Sequence, residues 1–251
     1  QAGGEGQSGL YVRGGGPDQN LMLLDEAIVY NATHLFGFFS VFNGDALKSV
    51  ELVKGGFPAR YGGRLSSVID LSMKEGNNQK YTGEVGIGLL SSRFTFEGPI
   101  KKGKSSFMIS GRRTYIDLLI QPFVYAASGN NLGYYFYDFN AKANYTLSEK
   151  DRLYLSGYFG KDNFYTIIRE DQARLETDFG WGNRTVTARW NHVFSPKLFS
   201  NASIIYSHYN LNIGLESYDG FEDTFLLNYQ SVIDDIGFKY DFDWRPHPSH
   251  Q

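Results

Sequence analysis

Few residue groups in this sequence have the types and spacing that chemistry requires. Gly4-Glu5-Gly6-Gln7-Ser8-Gly9 satisfies G-x-G-x-x-G, the spacing that lets a backbone approach a pyrophosphate. No strand pattern precedes it and no helical pattern follows, and dinucleotide binding needs both. His247 and His250 share a Pro-rich turn, with no H-E-x-x-H to complete a metal site. Ser, His and Asp co-occur only through composition, and no G-x-S-x-G elbow presents a nucleophile. Cys is absent from all 251 residues, which removes thiol nucleophiles, disulfides and Cys metal sites together. No set of nucleophile, base and orienting group remains, so the expectation is no enzyme, no metal and no cofactor. Asn144-Tyr145-Thr146, Asn183-Arg184-Thr185 and Asn201-Ala202-Ser203 are formal glycosylation sequons inside expected strands and are read as chance.

The elements that would position any binding residues are strands. Aromatic residues make up 16% of the chain and 29 residues are Gly, a mixture that suits pleated surfaces and interrupts helices. A net charge of -3, with no Lys/Arg cluster, excludes the electrostatic footprint of a nucleic-acid binder. No signal-peptide pattern is present, and nowhere do some 18 apolar residues run together. If this chain meets a bilayer, it does so as strands.

The sequence changes character near residue 79. Residues 1–79 are Gly-dense with short apolar runs, a small α+β unit with one short helix around Asn43 to Leu47 and a core of Val50, Leu52, Val68, Ile69 and Leu71. Residues 80–251 alternate with period two, the mark of strands with two different faces. Tyr135, Tyr137, Phe139, Ala141, Ala143, Tyr145 and Leu147 interleave with Asp138, Asn140, Lys142, Asn144 and Thr146. About eight strands long enough to cross a bilayer are expected, near 81–89, 92–100, 104–116, 133–147, 151–165, 179–194, 197–214 and 226–244. Short connections (101–104, 148–151, 195–197) alternate with long ones (117–132, 166–178, 215–225), the asymmetry of outer-membrane barrels. In 197–214 the apolar phase slips between Ile204-Tyr206 and Tyr209-Leu211-Ile213, which predicts a bulge or a local exception to the alternation.

Segment lengths above the ~5–6 residues usual in globular sheets, aromatic residues near segment ends, and a charged polar face together favour a membrane barrel over a soluble sandwich. An eight-stranded barrel has room inside only for side chains and cannot enclose a unit of this size, whereas plugged barrels of ~22 strands can. The expected fold is therefore mainly β: part of a small α+β domain, then the first strands of a larger antiparallel transmembrane β-barrel.

Two motifs carry a family resemblance. GLYVRGGGPDQNLMLLDEAIVYN resembles the segment of TonB-dependent receptor plug domains in which an Arg-Gly pair precedes a turn, an apolar run and an acidic residue. VELVKGGFPARYGGRLSSVIDLSMKEG is similar to the end of that plug, and its F-P-A-R-Y-G-G-R-L wording most resembles receptors of Bacteroidetes. Glu26 departs from the pattern, standing where Asp-Gly is usual. The resemblance places Arg13-Gly14, Lys54-Gly55 and Tyr61-Gly62 on plug motifs, their glycines at φ > 0 turns or close approaches. It implies that the plug fills the lumen; there Arg13, Arg60 and Arg64 either pair with lumen-facing acids such as Glu84 or Glu97 as a latch or sit at solvated positions. It also implies an apical loop at Asn31, His34, Phe36 and Phe38, which either faces substrate or packs its Phe residues into the plug core or against the barrel wall. The implied function is outer-membrane uptake of a scarce nutrient: a metal chelate, oligosaccharide or peptide. The implied partners are outer-membrane lipid, a TonB-type energy-transducing complex acting on a Ton box absent from this chain, the small substrate, and a surface lipoprotein lid. Two alternatives stand beside it: an outer-membrane receptor or assembly platform that transports nothing, and a complete small barrel with an external binding domain.

Overall fold

The computed structural model describes residues 12, 14–34, 37, 39–58, 60–171, 173–218 and 223–246. In the N-terminal unit, β1 (Asn20–Leu24), β2 (Ala27–Ile28), β5 (Leu47–Lys54) and β6 (Ser67–Met73) form a mixed sheet in the order β2-β1-β6-β5, and β3 (Thr33–His34) pairs with β4 (Phe39–Ser40) alongside. The expected helix is a single 3-10 turn, Gly44–Ala46, capped by the Asn43 side chain. Val68 and Leu71 are buried as expected, among Leu21, Leu23, Leu24, Val29, Val41 and Met73. Val50 and Leu52 are not core: they are 60% and 42% exposed, because β5 is an edge strand of this sheet and turns them away from it.

All eight expected strands are present, though the first is short: β7 (Thr82–Ile87), β8 (Ser91–Lys101), β9 (Ser105–Thr114), β10 (Asn131–Thr146), β11 (Asp151–Glu170), β12 (Ala173–Ser195), β13 (Leu198–Tyr218) and β14 (Asp223–Trp244). They pair antiparallel in sequence order as one open wall whose edges are β7 and β14. A complete small barrel is therefore not what forms, and the N-terminal unit lies against one face of the wall.

Two of the connections expected to be long are mostly strand. β11 reaches Glu170 before β12 begins at Ala173, and β13 reaches Tyr218 before β14 begins at Asp223. At about 3.3 Å per residue, strands of 20 to 23 residues exceed what a tilted bilayer crossing needs. The third, at 117–132, holds a helix, α1 (Ile116–Ser128), closed by Gly129 at φ +68.

The bulge allowed for in 197–214 is absent, and both ladders of β13 run regularly from Phe199 to Ser217. Tyr209 meets Tyr30 of the N-terminal unit, so odd residues of β13 face inward and even ones outward. Ala202, Ile204 and Tyr206 give the outer face an apolar lower half; His208, Asn210 and Asn212 give it a polar upper half, while Tyr209 and Leu211 pack inward with Trp181 and Phe179. The slip in phase records the strand leaving an apolar surrounding, not a fault in pairing. β14 changes over at the same level, from outward Ile236 and Phe238 to outward Asp234.

Candidate functional site

The inner face of the wall carries the residues that hold the N-terminal unit, and β10 supplies three of them. Alternation puts Asp138, Asn140, Lys142 and Asn144 on the inner face, all buried. Asp138 takes His34, Lys142 takes Asp25, and Asn144 donates to the Glu75 carbonyl at 2.9 Å.

At the end of the seam nearest the strand extensions, His34 is 1% exposed and bridges two carboxylates, Nε2 to Asp138 at 2.7 Å and Nδ1 to Asp162 at 2.5 Å. Arg112 donates to Asp138 from Nε at 2.8 Å and also to the Ser40 carbonyl at 2.7 Å; the Tyr158 and Tyr134 hydroxyls donate to Asp138 and Asp162. The Phe136 ring stacks on the imidazole at 4.0 Å. Burial pulls the His34 pKa down, but hydrogen bonds and charge from Asp138 and Asp162 outweigh it, and the net shift is upward from 6.5. A protonated His34 donates from both nitrogens and gives each aspartate a counter-charge. Asn183 adds a neutral contact, accepting from Tyr30 N–H at 3.1 Å and donating to the Asn31 carbonyl at 3.0 Å.

Midway, the Lys142 ammonium donates to Asp25 at 2.9 Å and to the Met73 carbonyl at 3.1 Å, with both charged side chains under 5% exposed. Asp25 and Glu26 form a two-residue hairpin between β1 and β2, and both are left-handed, at φ +46 and +75. Such turns ordinarily use Asn-Gly or Asp-Gly, and a residue with a Cβ loses about 1–2 kcal/mol there. The departure at Glu26 thus leaves the turn intact and places a carboxylate on the wall, where it accepts from Arg189 at 3.4 Å and Asn201 at 3.2 Å.

At the short-turn end, Glu75 pairs with Arg152 at 2.8 Å and Lys48 at 3.3 Å, both partners well exposed. Burial pushes its pKa up, but Arg152 and Lys48 outweigh that and the net shift is downward from 4.5. Gly76 presses so closely on β9 that a Cβ would sit 2.2 Å from the Phe107 carbonyl oxygen, at φ +82.

The residues expected to latch the seam are placed otherwise. Arg60 lies over the Tyr61 ring at 4.8 Å and lines a polar cavity of about 130 Å³ with Asp70, Lys239 and Asp241. Arg64 donates to the neighbouring Gly63 carbonyl. Glu97 accepts from Thr82 within its own hairpin, and neither it nor Glu84, on β8 and β7, pairs with Arg60, which lies on the side of β14 with Lys239 and Asp241, or with Arg64. Arg13, Phe36 and Phe38 lie outside the described residues. Gly14 and Gly55 take φ +81 and +73 as expected; Gly62 does not, and Gly63 does at φ +82. Lys54 ends β5 opposite Ser67, and the Tyr61 hydroxyl donates to Asp70 at 2.8 Å. At the expected apex, Asn31 accepts from Thr33, and His34 is sealed against the wall. Sequence reasoning marked the polar face of β10 as a face; it could not name Asp25, Glu26, Glu75, Asp162 or Arg189 as partners, because each pair joins residues far apart in the chain.

A small sheet held by charge pairs to the polar inner face of a long-stranded antiparallel wall defines a plugged β-barrel. Residues 1–68 match the family model of the TonB-dependent Receptor Plug Domain, so the chain carries such a plug ahead of its wall strands. No curated protein matches the sequence. Among solved structures, the ferric citrate transporter FecA in its unliganded form superposes with a TM-score of 0.52 at 8% identity, covering 94% of this chain and 47% of that one. BauA, the ferric preacinetobactin receptor from Acinetobacter baumannii, superposes with a TM-score of 0.51 at 10% identity, covering 96% and 50%. At such identities the likeness is one of fold, and the chain spans about half the length of those structures.

Proposed function

We propose that this chain belongs to a TonB-dependent receptor of the outer membrane that takes up a scarce nutrient through a plugged β-barrel. One observation carries the reading: a domain matching the plug family sits on the polar inner face of a wall whose outer face carries a belt of exposed apolar side chains. In this role the wall contacts lipid, the plug blocks the lumen, and an energy-transducing complex of the TonB type releases the block. The seam is what such a complex works against, and its charge pairs hold the plug in place until pulled. FecA is named for ferric citrate and BauA for a ferric chelate, which supports a metal chelate as the first substrate class to examine, ahead of oligosaccharides and peptides.

The test is to delete the gene in its host and measure uptake of radiolabelled ferric chelates, sugars and peptides, with and without an intact TonB-type complex. Loss of one class, restored by the wild-type gene and dependent on the complex, is the expected result. A parent protein absent from the outer-membrane fraction, or uptake unchanged for every class, overturns the reading.

A further inference from the structure

The connection between β9 and β10 contains a surface that the plug-and-wall reading does not use. α1 is IDLLIQPFVYAAS, with Asp117 as its only charged residue. Its polar side chains turn toward the wall: Asp117 is buried with its carboxylate 3.9 Å from Arg113, and Gln121 accepts from the Tyr165 hydroxyl at 3.1 Å. Arg113 in turn lies over the Tyr135 ring, and the Tyr165 ring occupies the space a Cβ would take on Gly133. Tyr135, Gly133 and Tyr165 alternate with inward Asp138 and Asp162, so α1 lies on the outer face of the wall. The side it turns away from the wall is apolar: Leu118 is 61% exposed, Phe123 77% and Tyr125 58%, with Leu119 and Ile120 partly so.

The level of the helix is set by strand register. The outward apolar belt runs up through Phe94, Phe96, Phe139 and Phe159 and stops at a row where Arg113 pairs with Tyr137 and Tyr137 with Lys161. Asp117 is tied to that row, and Gln121 to the Gly133–Tyr165 row four residues further up, about 13 Å along a strand and less in height once tilted. A helix that is apolar outward, directly above and continuous with the belt, has the position of one lying in a membrane interface, where apolar faces enter the headgroup and acyl boundary by about 5–10 Å. Its outward face carries no charge, which suits neither water nor a charged protein rim.

We propose that α1 is a membrane-surface helix whose occupant is bilayer lipid, with Leu118, Phe123 and Tyr125 resting in the upper rim of the hydrocarbon. The proposal rests on the barrel reading, and the experiment separates the two. These 251 residues contain no Cys, so Phe123→Cys, Ile204→Cys in the belt and Glu149→Cys in a short turn can each carry an environment-sensitive fluorophore. All three side chains are exposed, so the variants should fold. The labelled full-length protein is reconstituted into phospholipid vesicles containing nitroxide lipids of graded depth, with iodide as the aqueous quencher. The expected result is quenching at Phe123 by shallow nitroxide about threefold or more above that at Glu149, with Ile204 quenched best by deep nitroxide. Iodide quenching at Phe123 without lipid quenching, while Ile204 stays lipid-quenched, overturns the helix proposal alone. Protection of Phe123 from both quenchers, with Ile204 again lipid-quenched, overturns it in favour of a covering protein. An Ile204 label quenched by iodide overturns the barrel reading beneath it.

Discussion

The two ends of the plug–wall seam use the same chemistry in different solvents. At the upper end His34 sits 1% exposed between two buried aspartates; at the lower end Glu75 reaches Arg152 and Lys48, which are 39% and 60% exposed. Buried ions depend on their partners because nothing else solvates them, whereas exposed pairs have water as a substitute and contribute about 0–1 kcal/mol. The upper end is therefore a fastening that fails abruptly when one partner is lost, and the lower end one that yields gradually.

The largest effect should follow His34→Ala, which leaves Asp138 and Asp162 buried without their shared counter-charge. Breaking a buried pair by removing one partner costs about 3–5 kcal/mol. Hydrogen exchange of the plug in the reconstituted protein should show β3 and β4 opening more readily by that amount. Exchange unchanged within about 1 kcal/mol would mean that Arg112 alone satisfies the aspartates, and the contrast between the ends would collapse.

Slightly smaller is Lys142→Met, which strands Asp25 alone at the middle of the seam and should cost about 3 kcal/mol by the same route. Adding Asp25→Asn should restore most of that loss, since removing both charges is often nearly neutral where removing one is not. A double variant as damaged as the single one would show that Lys142 matters for its bond to the Met73 carbonyl and not for the charge of Asp25.

The pH dependences of the two ends have opposite signs. The folded-state pKa of His34 lies above its unfolded value of 6.5, so its contribution is fully present below pH 6.5 and is lost as pH rises through the raised value. The groups facing it are Asp138, Asp162, Arg112, Tyr134 and Tyr158. Glu75 is shifted below 4.5, so its contribution is present above pH 4.5 and fades as pH falls. Exchange mapped against pH should show the β3–β4 end loosening on the alkaline side and residues around Glu75 loosening on the acid side. A common direction at both ends would contradict the assignment of either group.

Much of this was legible in the sequence, and the gaps have physical causes. Eight strands and their inner and outer faces follow from period-two alternation, because the wall separates an apolar surrounding from a polar one. At β13 the inverted phase fits a bulge or a local exception equally, and the regular ladder decides for the exception: alternation reports what lies on each side, and above Tyr206 that changes while the pairing continues. α1 lies in a segment that alternation marks only as a long connection, because a single 13-residue helix between two strands adds no period-two signal of its own. His34, expected at the apex of the plug, lies instead between Asp138 and Asp162, partners 104 and 128 residues away that no local pattern can supply.

Glu26→Gly tests the smallest term, and its two consequences oppose each other. Glycine at φ +75 relieves about 1–2 kcal/mol of left-handed strain. The same change removes a long, partly exposed pair to Arg189, worth about 0–1 kcal/mol, and the bond from Asn201. Thermal stability should consequently stay level or rise slightly, while exchange at β1 and β2 increases because the turn is no longer tied to β12 and β13. A clear loss of stability would mean the Glu26–Arg189 contact belongs with the buried fastenings of His34 and Lys142, and the seam would then be rigid for most of its length with only the Glu75 end free to yield.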